Sequence, residues 1–320
     1  MKSFKATPLF LCLFLILLFS CKKDKVEMLF TELDSGIDRD LNSICFVNDT
    51  TGYVCGGDRY FKGDILCTIN GGKTWQPQGT GLDKALYKIF FQNSDTGFTG
   101  GYDGKIYRTQ NGGEEWTLYQ SPLYIPVRDL VMIDDVTGYG CGGDGFKSGC
   151  LYKTVDGGNS WTYDTSDIEF RSILFVNDQT GFAAGYGALF KTSDAGQSWQ
   201  LTAADGDFFM SMDFTDEETG YLAGYEGSIL KTTDAGINWT TLRNGNNLFQ
   251  STLHFNAISF RDHTTGYIIG EQGCFLKTTD AGQHWDQVEN ALGTDLRGIV
   301  LTSQGGYICG TGGKIYRFTE

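Results

Sequence analysis

One octet recurs six times along the chain: "TINGGKTW" (68–75), "TQNGGEEW" (109–116), "TVDGGNSW" (154–161), "TSDAGQSW" (192–199), "TTDAGINW" (232–239) and "TTDAGQHW" (278–285). All fit Thr-x-Asp/Asn-x-Gly-x-x-Trp, and the six Trp of the protein close the six copies. The Trp positions are separated by 41, 45, 38, 40 and 46 residues, a period matching one propeller blade. An acid used in catalysis is needed once or twice, so six copies are read as structure. Asn70 and Asn111 replace Asp156, Asp194, Asp234 and Asp280 in the first two copies. That exchange keeps a turn's hydrogen bonds but would abolish an acid. The short side chain is expected to accept bonds from backbone N–H groups and close a turn. The following Gly supplies a positive φ. Trp75, Trp116, Trp161, Trp199, Trp239 and Trp285 then bury a large aromatic face as the next strand begins.

A second element lies between the octets: "TGYVCGG" (51–57), "TGFTGGY" (96–102), "TGYGCGG" (137–143), "TGFAAGY" (180–186), "TGYLAGY" (219–225), "TGYIIGE" (265–271) and "GGYICGT" (305–311). An alternating apolar stretch precedes each, and a short run such as "KIYRT" (105–109) follows. Each unit therefore reads as four strands, A innermost, B carrying Thr-Gly-aromatic, C, then the octet turn and D from the Trp. The seventh unit ends at Glu320 without an octet, and "MLFTELDSG" (28–36) resembles a D strand. The predicted fold is all-β, a seven-bladed propeller of four-stranded blades over 28–320. Its N-terminal strand completes the last blade and removes exposed sheet edges.

Ahead of the propeller, "MKSFKATPLFLCLFLILLFSC" has early lysines, a short apolar run and Leu-Phe-Ser-Cys. The run is shorter than the ~20 residues of a spanning helix and reads as a secretory leader. Its ending resembles the bacterial lipobox. Residues 1–20 are expected to be removed, Cys21 to carry lipid, and 21–27 to form a short tether. The protein would be exported and anchored in the cell envelope, at the outer membrane or cell surface. The formal net charge of -14 disfavours nucleic acid, whose phosphates require basic patches. Membrane attachment is therefore expected through lipid alone.

Of nine Cys, seven remain after Cys12 and Cys21. Cys55, Cys141 and Cys309 share one strand-B position and read as small buried hydrophobes, while a Cys141–Cys150 disulfide is one pairing the spacing allows. No metal-ligand spacing and no cofactor motif is present. Oligomeric state is not encoded in any motif.

The D→A and B→C connections of a propeller share the face around the channel mouth. Aligning the A strands brings Asn42, Tyr87, Arg128, Arg171, Met210, Asn256 and Arg297 into one ring there. Three arginines on an acidic protein suit carboxylate capture, or each pairs internally with an acid such as Asp129 or Glu169. B→C loops add Arg59, Tyr60, Tyr102, Asp103, Tyr186, Tyr225 and Glu226, a mixture of aromatic anchors and charge. The predicted function is a non-enzymatic propeller that binds a protein or peptide on this face. The alternative is a glycan-binding or glycoside-hydrolysing lipoprotein using carboxylates such as Asp103 and Glu226.

The octets match the Asp-box, or BNR, repeat. With the Thr-Gly-aromatic segments and seven units, the chain resembles the photosystem II stability and assembly factor family. That resemblance implies a seven-bladed propeller that binds a membrane-protein precursor during assembly, with an Arg-rich patch in its interaction surface, here carried onto Arg128, Arg171 and Arg297. Sialidases also carry Asp-boxes, but their Arg-Ile-Pro signature is absent.

Overall fold

The computed structural model describes residues 28–79, 81–204, 206–245, 253–290 and 292–320. The leader, Cys21 and the tether fall outside these residues. Within them lie seven antiparallel four-stranded sheets, each in the order A-B-C-D. In blade 7 the outermost strand is Leu29–Leu33, paired antiparallel with Ile315–Thr319. The ring is closed by the N-terminal strand, as predicted.

The octet turn is organised by its Thr rather than by the acid alone. In the fifth copy Thr232 Oγ1 donates to Asp234 Oδ1 at 2.8 Å and accepts the Gly236 N–H at 2.9 Å. Asp234 then accepts the Asn238 N–H, four residues on, at 2.9 Å. The bond spans four residues because the turn holds two successive left-handed residues. Ala235 has φ 56° and Gly236 φ 74°. The second of these must be Gly for a reason outside the turn. A Cβ on Gly236 would meet the Phe182 ring of the preceding blade at 2.5 Å.

That contact belongs to a latch at the blade junctions. The strand-B aromatic of one blade stacks on the Phe that ends strand A of the next, as Tyr221 does on Phe260 at 3.9 Å. Trp285 meets the same Phe260 edge-on at 5.9 Å. Tyr221 Oη donates to Ala281 O in the next octet at 2.9 Å, and Lys231 Nζ donates to the same oxygen at 2.9 Å. The pattern repeats with Tyr53, Phe91 and Trp116, with Tyr139, Phe175 and Trp199, and, across the closure, with Tyr307, Phe46 and Trp75. The Gly of Thr-Gly-aromatic leaves room for that Phe, since a Cβ on Gly266 would touch Phe260 at 2.7 Å. Blade 7 has no octet. There the Glu320 carboxylate stands in, accepting from Tyr267 Oη and, at 3.0 Å, pairing with Lys277 Nζ.

The seven predicted thiols are all free. Cys141 lies opposite Leu151 and Cys150 opposite Gly142. Neighbouring register positions point to opposite sheet faces, so the two sulfurs enter different core clusters and the allowed disulfide does not form. Cys55, Cys141 and Cys309 are fully buried, and burial pushes their thiols up.

The Thr-centred turn carries a prediction. Thr232→Val keeps the volume but leaves the buried Gly236 N–H without an acceptor, at a cost of about 1–3 kcal/mol. Denaturant unfolding should show that loss, and Thr232→Ser should recover most of it.

Candidate functional site at the channel mouth

Each A strand is bulged at its second residue. In all seven blades the A–B register slips there, for example between Val127 and Asp129 and between Phe170 and Ser172. A bulge re-aims the extra side chain, and the seven re-aimed residues are Asn42, Tyr87, Arg128, Arg171, Met210, Asn256 and Arg297. All seven line an axial cavity of about 520 Å³. The ring inferred by aligning A strands is thus assembled.

The three ring arginines differ in their surroundings. Arg297 is satisfied, donating to Asn42 Oδ1 at 2.7 Å and pairing with Asp40 at 2.9 Å. Arg171 pairs with Glu169 at 2.6 Å, and Arg128 reaches the same Glu169 oxygen at 3.9 Å. Glu169 is 1% exposed. Arg128 also donates to Gly143 O at 3.3 Å and lies over the Tyr87 ring at 4.3 Å. Arg59 pairs with Asp144 at 3.2 Å, and Arg128 approaches Asp144 at 3.8 Å. Arg59, Arg128 and Arg171 therefore share two carboxylates. Arg171 Nε is buried without a hydrogen-bond acceptor among the described residues. Desolvation, then the field of Arg128, lower the Arg171 pKa to about 10.

Asp129, proposed above as an arginine partner, pairs with Lys88 instead at 2.8 Å. It also accepts the Leu130 and Ile173 N–H groups, which ties blade 3 to blade 4. Burial opposes the charge on Lys88, but Asp129 outweighs it and holds its pKa up.

Aromatic groups rim the mouth on two sides. Arg59 lies 5.5 Å from the Tyr60 ring centre and 5.0 Å from that of Tyr102. Tyr60 and Phe61 are exposed. On the other side Phe146, Tyr186 and Phe208 form a cluster, with Phe146–Tyr186 at 4.8 Å and Tyr186–Phe208 at 5.6 Å. Arg171 lies 4.9 Å from the Phe208 ring centre. Tyr225 is drawn away from both, stacking on His254 at 4.4 Å and donating to Glu271 at 3.0 Å. Asp103 approaches Lys84 at 3.8 Å with a φ of 58°. Glu226 is exposed on blade 5. No contact joins Asp103 to Glu226 among the described residues. Phe208 and Asp144 were missed in sequence. Asp144 had a signal, since "GGDGFK" parallels "GGDRYF" of blade one.

Fold and site define the class, a closed Asp-box propeller with an arginine-bearing, aromatic-rimmed channel mouth. Residues 202–318 match the family described as photosynthesis system II assembly factor YCF48. Among solved structures, "YCF48 bound to D1 peptide" aligns with a TM-score of 0.72 at 18% identity, covering 93% of this chain and 98% of that one. "YCF48 from Cyanidioschyzon merolae" gives 0.71 at 16% identity, covering 91% and 98%. A virginiamycin B lyase from Staphylococcus aureus gives 0.73 at 11% identity, covering 92% and 100%. At these identities the structures speak for fold. No curated protein matches this chain in sequence. The C-terminal part of the chain, residues 202–318, is thus similar to that family, and the described residues share the propeller fold of its solved members.

Deeper in the channel Asp213 is half-buried, and desolvation raises its pKa to about 6 despite the N–H groups of Phe260 and Phe214 that it accepts. The folded protein holds this proton more tightly than the unfolded chain does. Its effect on stability is therefore most favourable below about pH 4, declines as pH rises to about 6 and is flat above, a change on the order of 3 kcal/mol. Unfolding free energies measured from pH 4 to 7 should fall accordingly, and Asp213→Asn should remove most of that slope.

Proposed function

We propose that this protein is a non-enzymatic propeller that binds a protein or peptide partner at its channel mouth. Its role is that of an assembly or stability factor for proteins of the cell envelope. The observation that carries this reading is the mouth itself, where three guanidinium groups share two carboxylates beside exposed aromatic rings. Arg and aromatic anchors are the residue types that dominate protein interfaces. The relative described as bound to D1 peptide has the same fold and supports a peptide as ligand.

Lipid at Cys21 tethers the protein to a bacterial membrane, with the outer membrane or cell surface as its location. Leu29 pairs with Thr319, so the outer strand of blade 7 starts at the octet end of the ring. A seven-residue tether spans at most ~25 Å. It would hold the octet face towards the bilayer and leave the channel mouth pointing away, open to a partner.

In-cell crosslinking followed by affinity capture tests the reading. Arg128→Gln/Arg171→Gln/Arg297→Gln should fold, as judged by circular dichroism and Tm, yet lose the partner caught by the parent protein. Capture of the same partner by both would move the site elsewhere. Cys21→Ser should shift the protein from the membrane to the soluble fraction. Retention on the membrane would remove the lipid from the account.

A further inference from the structure

The partner-binding reading leaves open what chemistry the mouth selects. We propose that it reads a carboxylate set beside a bulky apolar side chain of a peptide, with Arg171 taking the carboxylate and the shelf of Phe146, Tyr186 and Phe208 taking the apolar group.

Charge accounting gives the first half. Arg59, Arg128 and Arg171 bring three positive charges against Asp144 and Glu169. One positive charge is left over within this cluster. Arg128 stands no nearer than 3.8 Å to either carboxylate, so the surplus lies on the Arg128–Arg171 pair, of which Arg171 is the more exposed, at 24% against 10%, with its pKa lowered by burial and by Arg128. An arriving carboxylate meets the exposed edge of the Arg171 guanidinium and supplies the missing charge. Arg297 is already matched by Asn42 and Asp40, so it contributes field rather than a docking point.

The second half comes from the shelf. Phe146 and Tyr186 are about half exposed, at 50% and 48%, and Phe208 bridges them to Arg171. Apolar shelf and guanidinium are thus contiguous. The two groups they would bind lie within one residue or two neighbours, whose Cα atoms stand ~3.8 Å apart.

Glu169 couples the halves. One oxygen lies 2.6 Å from Arg171, while the other accepts the Phe146 N–H at 2.8 Å. The Glu169 N–H in turn donates to Phe146 O at 3.3 Å. These bonds hold Phe146 at φ 69°, a conformation that costs a non-glycine residue about 1–3 kcal/mol. A bulky aromatic kept there at that cost is presented rather than packed away. The carboxylate that orients Arg171 is the same one that sets the shelf.

Fluorescein-labelled hexapeptides read by polarisation test this on the full-length protein. The probes are Gly-Ser-Gly-Ser-Ala-Phe as free acid, the same peptide as its C-terminal amide, the free acid with Ser for Phe, and a capped peptide with Glu-Phe inside. Binding is expected to weaken at least tenfold when the Phe is lost. If a chain terminus is the natural source of the carboxylate, amidation costs at least tenfold. If an acidic side chain is the source, the capped Glu-Phe peptide binds best and amidation of the other probe costs nothing further. Arg171→Gln should erase the carboxylate dependence. Phe146→Gly keeps the backbone conformation and should reduce only the Phe dependence. Equal binding with and without Phe, or no carboxylate peptide binding while the parent still captures its cellular partner, would overturn the inference and leave the partner-binding reading standing. Absence of any captured partner would overturn that reading itself.

Discussion

The structure depends on one interaction, the grip that each blade takes on the octet turn of the next. A four-stranded sheet cannot bury both faces alone, so a propeller is stable only if neighbours pack face to face. Here that packing has a fixed geometry. A strand-B aromatic stacks on the next blade's Phe, the octet Trp closes edge-on, and a Tyr hydroxyl and a Lys ammonium reach the octet carbonyl. The octet is thus less a turn decorated with an acid than a socket. Its double left-handed backbone aims a carbonyl at the preceding blade, and its Gly lets the aromatic come close. Variation fits the same logic. Where blade 2 carries Phe98 without a hydroxyl, Arg108 bonds Asn159 of the next octet at 2.7 Å. Where blade 7 has no octet, Glu320 supplies the acceptor.

A rigid ring makes a precise mouth. Because seven A strands carry the same bulge, seven side chains of unrelated type are delivered to one axial cavity without any change of scaffold. The site can therefore diverge while the latch stays constant. This division explains why arginines, a methionine, a tyrosine and two asparagines occupy equivalent positions. It also explains why Asp129 and Lys88, one residue further along, serve the joint between blades rather than the mouth.

The ring was legible in sequence because its parts are periodic and local. Octets, Thr-Gly-aromatic segments and the missing last octet specify blade number and closure. The ring of A-strand residues was legible for the same reason. What escaped was whatever depends on contacts between units. The role of the octet Gly shows only when Phe182 is seen against Gly236. The opposed directions of Cys141 and Cys150 follow from register, not spacing. Glu169 was visible as a candidate acid, but its sharing between Arg128 and Arg171 was not, and neither was Phe208, which lies in a connection without periodic pattern.

The central claim is that the partner sits on the channel mouth rather than on the octet face. Hydrogen–deuterium exchange of the partner complex tests it most directly. Slowed exchange is expected in the loops around Arg59, Tyr102, Phe146 and Tyr186, with the octet turns unchanged. Slowed exchange confined to the octet turns, with the mouth loops as fast as in the free protein, would contradict it.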